Sequence, residues 1–140
     1  MNIGSIIWPK DPRAACNQYL DYMLQVITKL GITFPARRPD PVVVARRYSA
    51  GEASEVEYRA EADAWWDLLY ATGQITTIRD PDVFVMRLAI CLLSVTPDQA
   101  HCLGEHLSWF QELLERMGVD LGEPSALMAR HFAWSHSPTV

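Results

Sequence analysis

The sequence lacks any long apolar run. A transmembrane helix needs about eighteen or more consecutive apolar residues, and the amino-terminal segment has only Ile6, Ile7 and Trp8 before Lys10. A secretory signal needs a longer apolar stretch than this. We therefore expect a protein that does not enter a membrane, is not secreted and resides in the cytoplasm.

Local motifs of catalysis are also missing. Serine nucleophile elbows, phosphate-binding glycine loops, CxxC pairs and kinase-type motifs do not occur. One minor alternative is a metal-dependent enzyme, because His101 and Glu105 stand four residues apart with His106 beside them. On a helix, however, the two histidines would point about 140° from each other. The sequence therefore predicts a protein that is not an enzyme and has no cofactor or metal site.

Basic residues are outnumbered, with 12 Lys and Arg against 17 Asp and Glu and a net charge of −5. The acidic excess lies after residue 50, whereas the first fifty residues are net basic. Nucleic-acid binding depends on clustered basic side chains. The charge balance therefore argues against nucleic acid and predicts a basic protein partner.

Cysteines are few: Cys16, Cys91 and Cys102 are an odd number at wide spacings. Each falls within an apolar helical pattern, which is untypical of a disulfide framework. We expect reduced thiols within the core.

Helix boundary signals are plentiful. An N-cap residue stands before proline at Asp11, Asp40, Asp80 and Thr96, and Ser54 with Glu57 forms a capping box. With apolar residues at three- and four-residue steps, these signals predict helices at about 12–30, 41–50, 55–72, 81–94 and 97–117, and a short sixth at 124–133. The run Val42 to Val44 leaves a strand open as an alternative for the second segment.

The predicted fold is therefore all-α. Five to six helices with short connections indicate a compact single-domain bundle or orthogonal array over residues 1–140. Residues 1–10 would form an amino-terminal extension and residues 134–140 a loose carboxyl-terminal tail.

The third predicted helix carries the candidate binding residues. Trp65 and Trp66 diverge by about 100° on a helix, so one should anchor the core and the other lie at an adjacent helix or at the surface. Six carboxylates between residues 52 and 67 are balanced locally by Arg59 alone. Glu55, Asp63 and Asp67 gather on one side of the helix, with Glu52 in the preceding loop. A solvated surface is the ordinary alternative, but such an excess of like charge destabilises a helix and favours a binding role for Glu52, Glu55, Asp63, Asp67 and Trp66.

The stretch FPARRPDPVVVARRYSAGEASEVEYRAEADAWWDLL, followed later by LGEHLSWFQELLERMGVD, resembles small helical proteins encoded beside bacterial polymorphic toxins. These include immunity proteins of contact-dependent growth inhibition systems. The resemblance covers roughly residues 34 to 120 and rests on the tryptophan pair and the acidic helix. It implies a cytoplasmic inhibitor that binds a cognate toxin domain, often a nuclease with a basic cleft, and masks its active site. A helical adaptor or scaffold subunit without catalytic activity is the alternative.

Overall fold

A computed structural model of the protein describes residues 2–136. This part of the chain has six α-helices and a single two-stranded sheet, which confirms the all-α prediction. The helices are α1 Pro12–Lys29, α2 Pro41–Ser49, α3 Glu55–Thr72, α4 Pro81–Leu92, α5 Leu103–Arg116 and α6 Gly122–His131. Two 3-10 helices span Ile3–Ser5 and Pro97–Cys102, and the strands are β1 Ile6–Ile7 and β2 Ala133–Trp134.

Side-chain caps fix the amino-terminal ends of three helices. Asp11 accepts a hydrogen bond from the Ala14 amide at 2.9 Å, and the Ser54 hydroxyl accepts one from the Glu57 amide at 3.1 Å. Asp40 likewise accepts from the Val42 amide at 3.0 Å. These bonds satisfy amides that have no partner within the helix. The alternative of a strand at 42–44 is wrong, because the valines lie within α2.

One predicted helix start and two predicted caps need correction. Residues 97–102 form a 3-10 helix and α5 begins only at Leu103. The Thr96 hydroxyl bonds to the Asp98 carboxylate and makes no cap, and α4 begins at Pro81 as predicted but without a side-chain cap. Asp80 precedes α4 but caps nothing, since its carboxylate accepts a hydrogen bond from Gln74 Nε2 at 2.7 Å. Gln74 Oε1 accepts from the Asp80 amide at 3.1 Å. A loop glutamine thus organises the entry to α4.

The expected single domain over residues 1–140 contains two compact units. The first joins the chain up to Leu30 with the chain from Thr96 onward, and it holds α1, α5, α6 and the sheet. Aromatic rings form the centre of its core. Tyr22 lies 6.1 Å from Phe110 and 5.2 Å from Phe132 between ring centroids, and all three side chains are buried.

The second unit, Gly31–Val95, holds α2, α3 and α4. The Tyr48 and Tyr58 rings stack with centroids 3.9 Å apart and planes at 7°. The Tyr58 hydroxyl donates to the Leu92 carbonyl and accepts from the Val95 amide, so it satisfies backbone groups where α4 ends. Residues of α4 including Leu88, Ile90 and Leu92 are buried and belong to the core of this unit.

The two chain ends differ from the prediction of an extension and a loose tail. Ile6 pairs with Trp134 and Ile7 with Ala133 in antiparallel register, and the Ser135 amide donates to the Ser5 carbonyl at 2.8 Å. These hydrogen bonds satisfy backbone groups that a loose tail would leave to water. Residues 134 and 135 are therefore not a loose tail, whereas residues 137–140 lie outside the described part of the chain.

Among the described residues, no single helix is both long and apolar enough to cross a membrane. Within residues 2–136, one bent pair, Pro81–Leu92 with Pro97–Arg116, reaches the required length and hydropathy when the two segments are counted together.

Candidate functional site

The candidate site lies on the outer side of α3 in the second unit. One side of the helix is buried through Tyr58, Ala62, Trp65 and Leu69, at the three- and four-residue spacing of a core-facing stripe. The predicted binding residues of α3 lie outside this stripe, with Asp63 and Asp67 opposite it and Glu55 and Trp66 at its edge. Glu55, Asp63 and Asp67 are exposed, Trp66 is half-buried, and Glu52 is exposed in the loop before the helix.

The two adjacent tryptophans have different environments, as their helical separation requires. Trp65 is 0% exposed, and its ring lies 6.4 Å from that of Phe34. Trp66 stacks on Tyr70 with centroids 5.6 Å apart and planes at 28°. The guanidinium carbon of Arg87, on α4, lies 4.6 Å from the Trp66 ring centroid. Trp65 is therefore the core anchor, and Trp66 belongs to a surface aromatic cluster.

The glutamates of α3 are less available than the sequence indicated. The prediction that Arg59 alone balances the acidic segment is wrong, because the fold brings two arginines from outside that segment. The ion pairs are Glu55–Arg59 at 3.5 Å, Glu57–Arg47 at 3.8 Å and Glu61–Arg38 at 2.7 Å. All are at least partly exposed, so each contributes little to stability. Their effect is to neutralise much of the charge between residues 55 and 61, in the first two turns of the helix.

Asp63 and Asp67 remain as exposed carboxylates, and neither forms an ion pair within residues 2–136. Both lie one helical turn or less from Trp66. Glu55, by contrast, is about 18 Å from Asp67 along the helix axis, at 1.5 Å per residue. The structure therefore divides the predicted site: Asp63, Trp66 and Asp67 form one patch, and Glu52 and Glu55 lie toward the other end of α3.

Two residues of this patch were missed by sequence reasoning. Tyr70 is 57% exposed and covers one side of Trp66. Its position four residues after Trp66 could have identified it, because residues at that spacing are neighbours on a helix surface. Arg87 comes from another helix, and nothing local in the sequence indicates its contact. We call Asp63, Trp66, Asp67 and Tyr70, together with Arg87, the aromatic–acidic patch.

The residues of the alternative metal site do not converge. His101 and Glu105 are exposed, whereas His106 is half-buried with its Nε2 atom 3.2 Å from Gln99 Oε1. Burial lowers the pKa of His106. Among residues 2–136, no group of three or more His, Cys, Asp and Glu side chains could hold a metal ion. The geometry therefore gives no support to a metal-dependent enzyme.

The three cysteines are free. Cys16 is buried with its thiol 3.3 Å from the Thr96 carbonyl, and Cys91 and Cys102 are half-buried. Burial raises the pKa of the Cys16 thiol to about 11, and burial also raises that of Cys91 to about 11. The thiolate is the nucleophilic form of cysteine, and the raised pKa keeps these two groups protonated at neutral pH.

Comparisons of the chain with protein-family models, with curated proteins and with solved structures find no match. We therefore base the proposed function on the aromatic–acidic patch and on the resemblance drawn from the sequence.

Proposed function

We propose that this chain is an immunity protein that binds a cognate toxin domain, a basic one such as a nuclease, and occludes its active site in the cytoplasm. The observation that carries the proposal is the aromatic–acidic patch. It places a half-buried tryptophan and an exposed tyrosine beside two carboxylates that have no ion pair in the described chain. Large aromatic side chains dominate the affinity of many interfaces.

The two parts of the patch have different tasks in binding. Asp63 and Asp67 attract a basic surface at long range and raise the rate of encounter. Trp66 and Tyr70 then bury apolar area against the partner and slow its dissociation. Occlusion of a toxin requires only tight binding, so the inhibitor needs no catalytic group of its own.

The scaffold beneath the patch is suited to this role. The Ser54 hydroxyl caps the start of α3, and Gly73 adopts φ 71° at its end, a left-handed conformation that favours glycine. Trp65 holds the middle of the helix in the core. A binding surface that is already ordered loses less conformational entropy on association. The patch is thus presented on a rigid element and not on a loop.

The proposal is tested by co-purification of the chain with a toxin domain and by protection of cells from that toxin. The chain should co-purify in equal amounts with the toxin domain encoded next to its gene, and its expression should protect cells from that toxin. Trp66→Ala should weaken both effects, whereas Trp109→Ala, at a similarly surface-located tryptophan of α5 in the other unit, serves as the control. Failure to co-purify and to protect would refute the proposal.

Deletion of the gene distinguishes an immunity protein from a helical adaptor, which would use the patch for a partner that is not toxic. An adaptor would bind a basic subunit stably, and deleting its gene would not make cells sensitive to a toxin. Growth of the deletion strain, with and without the neighbouring gene, separates these two functions.

A further inference from the structure

We infer that the aromatic–acidic patch contains a subsite for an arginine guanidinium group of the partner, formed by Tyr70 and Asp67. This inference rests on the proposed binding of a basic protein. It identifies the type of basic side chain that the patch binds. The expected occupant is an arginine on the partner's surface, in preference to a lysine.

Helix geometry places the groups of the subsite side by side. Residues 63 to 70 span about 10 Å along the axis, and the four patch positions of α3 lie within about 100° around it. Asp67 precedes Tyr70 by three residues, so the two side chains are neighbours on the helix surface. One planar group can therefore contact the Tyr70 ring and the Asp67 carboxylate together.

The chain already contains this type of contact. The Arg87 guanidinium carbon lies 4.6 Å from the centroid of the Trp66 ring, at the same patch. That distance is within the range of favourable cation–π contacts. Tyr70 stacks on Trp66, and at 57% exposure it leaves ring surface open to a second cation. Arg87, Trp66 and Tyr70 are already in contact in that order. An arginine of the partner, stacked on Tyr70, would add a second cation to these contacts.

Charge complementarity indicates the occupant. Asp63 and Asp67 stand four residues apart on exposed positions of one helix, and like charges at that spacing repel. A bound cation relieves the repulsion. Guanidinium fits better than ammonium, because it is planar, is weakly hydrated, stacks on aromatic rings and forms paired hydrogen bonds to a carboxylate.

Two short peptides of equal length and charge, oligo-arginine and oligo-lysine, serve as probes. They are titrated into the isotope-labelled protein while the Trp66 indole and the Tyr70 ring signals are followed by nuclear magnetic resonance. We expect the arginine peptide to shift these signals and to bind about two- to fivefold more tightly than the lysine peptide, as expected for an exposed cation–π contact. Equal affinities, or no shift of these signals by either peptide, would overturn the subsite.

Substitutions at Tyr70 separate stacking from simple apolar contact. Tyr70→Phe should keep the preference for arginine, whereas Tyr70→Leu should abolish it without loss of helicity, because the side chain is exposed. Asp67→Asn should weaken arginine-peptide binding more than Glu115→Gln, a matched removal of one exposed charge on α5. Retention of the arginine preference by Tyr70→Leu would overturn the inference.

The outcomes for the subsite and for the proposed function are distinguishable. A chain that protects cells from the toxin but shows no arginine preference would overturn the subsite alone. A chain that shows the preference, lost in Tyr70→Leu, but protects against no toxin would support the subsite and refute the immunity function.

Discussion

Arg87 of α4 places its guanidinium carbon 4.6 Å from the centroid of the Trp66 ring of α3. This contact joins two helices of the second unit at its surface. Trp66 in turn stacks on Tyr70. The proposed binding surface on α3 is therefore continued by a residue of the following helix.

The first prediction concerns this contact. Arg87→Ala should lower the free energy of unfolding by about 0.5–1 kcal/mol, the usual contribution of a cation–π pair near the surface. Arg130→Ala, at an exposed position of α6, should change it less. Urea denaturation of both variants measures the difference. Equal stabilities of the two variants would show that the Arg87 contact does not contribute to folding.

The second prediction concerns the two aspartates of the patch. Asp63→Lys combined with Asp67→Lys should slow association with the toxin domain about tenfold and reduce the salt dependence of the rate, because exposed charges act at long range and are screened over about 8 Å at physiological ionic strength. Helicity should be retained, since both side chains are exposed. Surface plasmon resonance at two salt concentrations measures these rates.

The matched control reverses Glu52 and Glu55 in the same way. Glu55 is already paired with Arg59, and both glutamates lie toward the other end of α3 from Asp67. This variant should slow association less than the aspartate variant. If both double variants associate at the wild-type rate and protect cells equally, the acidic side of α3 is only a solvated surface.

The third prediction concerns the cores of the two units. Phe110 in the first unit and Leu88 in the second are both 0% exposed. Phe110→Ala should lower the free energy of unfolding by about 3–5 kcal/mol, because it leaves a cavity. Leu88→Asp should unfold or severely destabilise the protein, because it buries a charge. Val56→Ala, at 78% exposure, should change the free energy of unfolding by less than about 0.5 kcal/mol. Thermal melting that is unchanged in the first two variants would contradict the described cores.

The fourth prediction is a loss of stability at alkaline pH. The Cys16 and Cys91 thiols have folded-state pKa values raised from 9.0 to about 11 by burial. The folded state therefore retains these protons after the unfolded state has lost them. The resulting stabilisation is fully present below pH 9 and is lost between about pH 9 and 11.

Urea denaturation at pH 8 and pH 10.5 tests this loss, with Cys16→Ala and Cys91→Ala combined in one variant. The variant should lose less stability than the wild type over that interval. It should not become independent of pH, because burial also raises the pKa of Tyr22. An identical pH dependence of variant and wild type would show that the thiols are not responsible.

The helices of this protein could be predicted from sequence because their boundaries depend on local chemistry. The caps by Asp11, Asp40 and Ser54 involve amides only two or three residues away. The separation of Trp65 from Trp66 likewise follows from the 100° step between helical neighbours. Where the prediction of a start was wrong, at Thr96, the side chain bonded to Asp98 instead of capping a helix.

Only the tertiary structure decided which carboxylates are neutralised by arginines outside α3 and which residue of another helix contacts Trp66. Glu61 pairs with Arg38, 23 residues earlier, and Trp66 contacts Arg87 on another helix. Ile6 pairs with Trp134 across nearly the whole chain. Such contacts depend on how helices and strands pack, because the distance between two side chains remote in sequence is set by tertiary packing and not by the spacing of residues along a helix. The amino-acid sequence by itself thus determined the helices, their buried sides and the grouping of the four patch residues of α3, whereas packing paired Glu61 with Arg38 and brought Arg87 to that surface.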